Sequence, residues 1–163
     1  MSLVMGIVNV TPDSFSDGGL YLEKDDAICH ARQLVEEGAD VIDIGGESTR
    51  PGATPITIEE EISRVIPVVV ALADEVRISI DTRHEEVARA AVQAGATIIN
   101  DVSASLSKVA AELQVGWVAM HMQGSPQTMQ DKPEYEDVVN EICSYLTYKA
   151  EEAKKEGVAE IWI

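Results

Sequence analysis

The sequence is poor in several features that define whole classes of protein. Lysine and arginine total 12 against 29 aspartate and glutamate residues, which gives a net charge of −17 at pH 7. This balance argues against binding to nucleic acid or to an anionic membrane surface, because both need clustered basic side chains. No apolar run approaches the roughly 20 residues that span a membrane, and no signal peptide is visible at the N-terminus.

Cysteines and reactive motifs are also scarce. Cys29 and Cys143 lie far apart on predicted helices, which favours two buried thiols in a reducing compartment. The sequence has no Cys/His metal-ligand spacing, no nucleophile elbow and no Walker-type phosphate loop. We therefore expect a cytoplasmic protein that does not use nucleophilic covalent catalysis.

Short apolar, β-branched segments alternate with helical patterns along the whole chain. Their continuous apolar character is typical of strands that are covered on both faces of a parallel sheet. Capping boxes at Thr57 and Thr82 predict two helix starts, and Gly95 and Gly157 predict two helix ends. The pattern predicts one α/β domain, residues 1–163, with five βα units and one more strand. The strand segments are 4–10, 41–44, 78–80, 97–99, 117–120 and 161–163.

Two architectures accommodate this order, a doubly wound sheet and part of a (β/α)8 barrel. The first strand is not followed by a G-x-G-x-x-G turn, which weakens the dinucleotide-binding alternative. Nearly every predicted strand ends in a polar group, and in a barrel the carboxyl ends of the strands converge on one site. We therefore expect a barrel with one shared polar site. The strand-end groups are Asn9, Asp43 with Glu47, Asp81, Asn100 with Asp101, and His121.

Two loops are unusually rich in ligand groups. Residues 9–19, NVTPDSFSDGG, combine an amide with carboxylates and hydroxyls, which suits a hard cation such as Mg²⁺. The alternative is a network of Asx-turns and helix caps. Residues 45–52, GGESTRPG, offer two glycines for close backbone approach, hydroxyls and the planar fork of Arg50. They predict an anion-binding loop, and the alternative is a plain turn with a solvated arginine.

Three further segments follow predicted strands. Asp81 in SIDTR is placed to accept hydrogen bonds from an amino-heterocycle or to face a cation, but it could equally cap the next helix. Asn100 in IIND suits the edge of a flat heterocycle, and the alternative is an Asn-Asp turn. Met120 and Met122 in MHMQG would flank a planar ring with polarizable sulfur or pack in the core.

The combination of these motifs resembles the dihydropteroate synthase family of folate biosynthesis. The matching segments are MGIVNVTPDSFSDGG, VIDIGGESTRPGA, SIDT, IIND and MHMQG, and the resemblance runs from Met5 to the last residue. It implies a (β/α)8 barrel, of which this chain carries about the first five and a half βα units. It also implies a Mg²⁺-dependent condensation of 6-hydroxymethyl-7,8-dihydropterin diphosphate with 4-aminobenzoate, inhibition by sulfonamides, and a homodimer at full length.

The resemblance implies roles for individual residues. Asn9 would contact Mg²⁺ and diphosphate, and Asp17 and Arg50 would be the catalytic side chains of the two loops. The substrate-binding set would be Phe15, Thr49, Pro51, Asp81, Asn100 and Met120. Two alternatives stay open. One is a pterin-binding methyltransferase domain, which shares the barrel. The other is an inactive fragment if 163 residues is the whole polypeptide, because a barrel typically needs about 250.

Overall fold

The computed structural model describes residues 3–11, 20–48, 55–124, 128 and 132–163. Six strands alternate with five helices among these residues, which confirms the predicted order of five βα units and one strand. The elements are β1 Met5–Asn9, α1 Leu20–Glu36, β2 Val41–Gly45, α2 Ile58–Leu72, β3 Arg77–Asp81, α3 Glu85–Gln93, β4 Ile98–Asp101, α4 Ser107–Leu113, β5 Gly116–Ala119, α5 Val138–Glu156 and β6 Ile161–Trp162.

The six strands form one parallel sheet whose spatial order follows the chain, from β1 to β6. A doubly wound sheet would reverse its strand order at a switch point and place helices on both faces. Strictly sequential order instead keeps every crossover on the same side, which is how a (β/α)8 barrel is built. The prediction of the first five and a half units of a barrel is therefore confirmed.

The hydrophobic core lies between the outer face of the sheet and the helices. Because side chains alternate between the faces of a strand, every second residue points towards the helix layer. On α2 the buried residues recur at helical spacing, as in Val65, Val68, Val69 and Leu72. The strands contribute a matching set of fully buried side chains, namely Ile42, Ile44, Ile78, Ile80, Ile99 and Trp117.

The prediction that each strand is covered on both faces holds for β2 but is wrong for β1. All five residues of β2 are buried. In β1 the exposed residues Met5, Ile7 and Asn9 alternate with the buried residues Gly6 and Val8. The physical reason is position, because β1 is the edge strand of the described sheet and pairs only with β2 among the described strands.

The helix ends show which capping signals operate. Thr57 caps α2, and its hydroxyl accepts a hydrogen bond from the backbone N–H of Glu60 at 3.2 Å. The capping box predicted at Thr82 is wrong, because α3 begins at Glu85 after His84, which makes no side-chain cap. Gly157 ends α5 in the left-handed region with φ 99°, as glycine permits.

The predicted burial of both cysteines is also wrong, because Cys29 and Cys143 are exposed on the outer surfaces of α1 and α5. The amphipathic stripe of α1 buries the neighbouring Ala27 and Ala31 instead. Among the described residues, none of the helices combines the length and the apolar character needed to span a bilayer.

Candidate active site

A row of polar groups crosses the carboxyl edge of the sheet. The strand register places Asn9, Gly45, Asp81 and Asn100 side by side on β1 to β4. A Cβ atom added to Gly45 would lie 3.4 Å from Asn9 Oδ1 and 3.4 Å from Asp81 Oδ2. The missing side chain of Gly45 therefore leaves Asn9 Oδ1 and Asp81 Oδ2 facing the same space, so two predicted site residues from separate strands lie close together.

A second polar layer lies one step deeper on the same inward face. Asp43 is 4 % exposed, and its Oδ2 accepts a hydrogen bond from Asn100 Nδ2 at 2.9 Å. Asp43 Oδ1 and the buried Ser79 hydroxyl have no hydrogen-bond partner of standard geometry among the described residues. Both atoms lie on the inward face beside the polar row, so a ligand that enters this face can pair with them.

The carboxylates of this face are difficult to ionise. Burial raises the pKa of Asp81 from its ordinary 3.8 to about 7, and the charges of Asp43, Glu61, Asp101 and Glu47 add to the effect. Burial also raises the pKa of Asp43, although the nearby Ser79 and Asn100 side chains oppose that shift. Two carboxyl groups with raised pKa values favour the binding of a ligand with hydrogen-bond donors, because such a ligand stabilises the ionised form.

The other predicted ligands divide into two groups. Met120 follows β5 and is 40 % exposed, and its predicted role in lining a ligand pocket stays a prediction. The predicted roles of Phe15, Asp17, Thr49, Arg50 and Pro51 stay predictions, because these five residues lie outside the described part of the chain.

Asp101 does not belong to the site, although it follows Asn100 directly. Its side chain turns to the opposite face, where Oδ2 accepts hydrogen bonds from the backbone of Ser105 at 2.6 Å and Leu106 at 2.7 Å, and from Trp117 Nε1 at 3.2 Å. Oδ1 accepts from Ser103 N at 2.9 Å. Asp101 therefore organises the short connection between β4 and α4.

His121 follows β5 as a polar strand end, but alternation along the chain predicts that it faces away from the side of Met120, and the structure agrees. Its ring packs edge-on against Tyr145 of α5 with centroids 5.1 Å apart, and it lies 5.9 Å from the ring of Tyr135. The residue therefore contacts aromatic side chains of the helix layer. The alternation of side chains after β5 explains this position, because Met120 and His121 point in different directions.

The two glycines that follow Ile44 have different roles. Gly45 opens space between ligand oxygens, as the sequence predicts for close approach of a ligand. Gly46 instead allows packing, because a Cβ atom there would lie 2.8 Å from Val65 Cγ1 and 3.1 Å from Glu61 Cγ. Its carbonyl accepts a hydrogen bond from the buried Arg64 Nη1 at 2.9 Å.

Charged side chains surround the turn that follows Gly46. The carboxylate of Glu47 accepts two hydrogen bonds from Arg83, from Nε at 2.9 Å and from Nη2 at 3.2 Å. The buried Glu61 is hydrogen-bonded to His84 Nδ1 at 2.8 Å. Glu47, Glu61 and His84 bring their ligand atoms within 4.8 Å of one another. Since Arg83 occupies both oxygens of Glu47, we interpret this group as an ion-pair cluster and not as a metal centre.

Comparison with known proteins agrees with this geometry. The profile of a family described as pterin binding enzyme matches residues 5–163. The chain belongs to the pterin-binding enzyme family. The match confirms the resemblance predicted from the sequence over nearly the whole described fold. It includes β1, β3 and β4, whose carboxyl ends carry the polar row of Asn9, Asp81 and Asn100.

Several characterised members of the pterin-binding enzyme family are similar to this chain. The dihydropteroate synthase of Escherichia coli K12 is 49% identical over 96% of this chain and 58% of its own length. A mitochondrial bifunctional folate synthesis protein of Pisum sativum is 51% identical over 96% of this chain and 33% of its own. The chain thus spans little more than half of the bacterial relative.

Solved structures give the same result. The structure of Xanthomonas albilineans dihydropteroate synthase with 4-aminobenzoic acid superposes with a TM-score of 0.87 at 48% identity, covering 98% of this chain and 59% of that one. The Burkholderia cenocepacia enzyme complexed with 7,8-dihydropteroate gives a TM-score of 0.81 at 44% identity, with coverages of 99% and 57%.

Sequence reasoning missed the part that Asp43 plays. It counted Asp43 among the polar strand ends but did not name it as a ligand, and it gave His84 no part in the site. The available signal was the spacing of two residues between Asp43 and Gly45, and between Ser79 and Asp81, which places each pair on one face of its strand. The contact between His84 and Glu61 had no such signal, because α2 and the turn after β3 meet only in the folded chain.

Proposed function

We propose that this chain is the N-terminal part of a Mg²⁺-dependent dihydropteroate synthase. The observation that carries the proposal is the polar row of Asn9, Asp81 and Asn100 above the half-satisfied carboxylate of Asp43. The similarity to enzymes solved with 4-aminobenzoic acid and with 7,8-dihydropteroate supports it. The substrates would be 6-hydroxymethyl-7,8-dihydropterin diphosphate and 4-aminobenzoate.

The deeper part of the site suits the pterin. A pterin is a flat heterocycle with several N–H donors, and Asp43 Oδ1 and the Asp81 carboxylate supply acceptors that the described protein leaves open. Asn100 donates one hydrogen bond to Asp43, which fixes its amide and leaves its carbonyl oxygen to the ligand. Binding of the pterin should lower the pKa of Asp81, because hydrogen bonds to a carboxylate favour its ionised form.

The outer part of the site suits the diphosphate. Asn9 Oδ1 faces the space above Gly45 and fits a hard cation, which prefers oxygen ligands and keeps several of its waters. Asn9 would hold Mg²⁺, which neutralises charge on the leaving diphosphate when it is bound. Thr49 and Arg50 are proposed to contact the diphosphate, and Asp17 with Phe15 and Pro51 to order the site around 4-aminobenzoate.

The reaction needs little covalent chemistry from the protein. The C–O bond between the pterin methylene and diphosphate breaks, a C–N bond to the arylamine forms, and the amine releases one proton. The electron-rich dihydropterin can delocalise the positive charge that develops at the methylene carbon. The chain's own residues therefore bind and orient the two substrates and exclude water, and no nucleophilic side chain is required.

The experiment is a synthase assay on the protein at its natural length, in which dihydropteroate and released diphosphate are quantified with and without Mg²⁺. We expect equal amounts of both products and a loss of activity with a chelator. Asp81→Ala should lower kcat/KM about 100-fold or more, because it removes a buried charged hydrogen-bond partner of the substrate. Asp74→Ala is the matched control, since Asp74 is an exposed carboxylate after α2.

The outcomes separate the alternatives. Absence of dihydropteroate, or an Asp81→Ala variant as active as the control, contradicts the proposal. Pterin binding without displacement of diphosphate would favour the methyltransferase alternative. The cytoplasmic location and the homodimer stay predictions, and the mass of the protein in solution tests the second.

A further inference from the structure

Four ionisable side chains lie beside the proposed site. We call them the anchoring network: Glu47, which follows β2, Glu61 on α2, and Arg83 and His84, which follow β3. They join three elements that meet beside Gly45 and Asp81. The proposed reaction gives these side chains no role, although two of them are largely buried.

The first connection is the ion pair between Glu47 and Arg83. Its two hydrogen bonds, 2.9 and 3.2 Å long, run in parallel from the guanidinium to the carboxylate. Gly45 and Asp81 are register partners in the polar row. Glu47 comes two residues after Gly45, and Arg83 comes two residues after Asp81. The pair therefore links the ends of β2 and β3 just beyond the last backbone pairing between them.

The second connection ties both turns to α2. Glu61 has a side chain only 1% exposed, and it is hydrogen-bonded to His84 Nδ1 at 2.8 Å. One turn further along the same helix, Arg64 Nη1 donates to the carbonyl of Gly46 at 2.9 Å. One rigid helix thus holds the turn after β2 and the turn after β3 in a fixed relation.

The charges show that the pair is ionic at neutral pH. Burial by itself would raise the pKa of Glu47, but the hydrogen bonds and charge of Arg83 outweigh it and lower the pKa below its ordinary value. The hydrogen bond to Glu47 raises the pKa of Arg83 in turn. Bidentate pairs of this kind fix geometry as well as charge.

We propose that the anchoring network positions the diphosphate side of the site relative to its pterin side. This inference rests on the proposed function, in which a single substrate spans both sides. The diphosphate group of such a ligand adds its full share of binding affinity only when the diphosphate side and the pterin side of the site are held at the correct separation. Glu47, Arg83 and their partners are positioning residues in this account, because they act through Gly46 and Asp81.

The test compares two dissociation constants in the protein at its natural length, by calorimetric titration with Mg²⁺ present. One ligand is 6-hydroxymethyl-7,8-dihydropterin and the other is its diphosphate. The dissociation constant of the pterin divided by that of its diphosphate measures the affinity that the diphosphate group adds. We expect both Glu47→Gln and Arg83→Gln to lower this ratio about tenfold. The double variant should be no worse than either single variant, because both substitutions remove one shared contact.

The signs of the two single variants distinguish positioning from a simple field effect. Glu47→Gln leaves an unpaired positive Arg83, which by charge alone would strengthen binding of the diphosphate, whereas loss of positioning weakens it. Arg89→Gln is the control, because Arg89 makes ion pairs with Glu85 at 2.8 Å and Glu112 at 2.5 Å on the outer surface. It should leave the ratio within about twofold.

Three results would overturn the inference. One is a ratio within twofold of the wild type in both single variants, and another is a ratio that rises in Glu47→Gln. If Glu47→Gln fails to fold, Glu47→Asp keeps the charge but shortens the side chain, and an unchanged ratio in that variant is equally decisive. A wild-type protein that binds neither pterin instead removes the proposed function, and the inference falls with it.

Discussion

The two faces of this sheet belong to the same strands and yet follow opposite rules. On the outer face Ile42, Ile44, Ile78 and Ile80 are fully buried against the helices. On the inner face the neighbouring positions carry Asp43, Ser79 and Asp81, together with Asn100, and some of their polar atoms have no partner among the described residues. The outer face stabilises the fold through burial of apolar side chains. The inner face keeps polar atoms available to a ligand, at a cost in stability.

The polar residues of the two faces make the same contrast sharper. Asp101 on the outer face accepts hydrogen bonds with both oxygens, so its carboxylate completes the structure. Asp43 on the inner face uses one oxygen for Asn100, and its other oxygen has no partner of standard geometry in the part of the chain that the structure describes. Incomplete pairing of a buried carboxylate is a feature of binding sites, where the ligand supplies the missing donor.

The largest effect is expected from the outer face. Trp117→Ala removes a fully buried indole and its hydrogen bond to Asp101, and should lower the free energy of unfolding by roughly 3–5 kcal/mol. Urea denaturation measures the change. Val70→Ala on the exposed side of α2 is the control and should stay within about 0.5 kcal/mol. A cost for Trp117→Ala below that of an ordinary surface substitution would contradict the assignment of stability to this face.

A smaller effect, with a distinctive pH dependence, is expected from the inner face. The pKa of Asp81 is about 7 in the folded protein against an ordinary 3.8, so the folded state binds the proton more tightly than the unfolded state. The contribution of Asp81 to the free energy of unfolding is therefore present at low pH, and it is lost as the pH rises towards the pKa of Asp81 in the folded protein. Between pH 5 and 8 the wild type should lose roughly 2–3 kcal/mol relative to Asp81→Asn.

The measurement is urea denaturation of the ligand-free wild type and of Asp81→Asn at both pH values. Only the difference between the two proteins is interpreted, because other groups titrate equally in both. Parallel stability curves would show that Asp81 titrates at its ordinary value and would remove the electrostatic contrast between the faces. Addition of the pterin should reduce the difference, since binding favours the ionised carboxylate.

The smallest effect comes from a matched pair of aspartates. Asp101→Asn places an NH2 group against backbone N–H donors and should cost about 1–2 kcal/mol. Asp43→Asn changes a buried carboxyl group whose Oδ1 has no partner of standard geometry among the described residues, so its cost should be near zero or slightly favourable. Thermal or urea unfolding at pH 7 tests both variants. Equal losses would mean that the inner face is paired as fully as the outer one.

Particular residues show how far the sequence alone could predict the site. The motifs around Asn9, Asp81 and Asn100 indicated that these side chains share one edge of a sheet, because parallel strands place their carboxyl ends together. The same reasoning failed for Asp101, which also ends a strand. A one-residue shift along an extended chain turns a side chain to the other face, and the motif does not state which residue faces inward.

The sequence by itself determined the order of elements, the parallel sheet and the polar strand ends. These are consequences of local periodicity and of residues such as Gly157, whose conformational freedom acts within one turn of chain. Only the tertiary structure decided which carboxylates remain unpaired and which are neutralised. Asp43 meets Asn100 across 57 residues, and Glu47 meets Arg83 across 36. Burial and pairing of charges depend on neighbours that are distant in sequence, so the pKa of Asp81 and the anchoring network exist only in the folded chain.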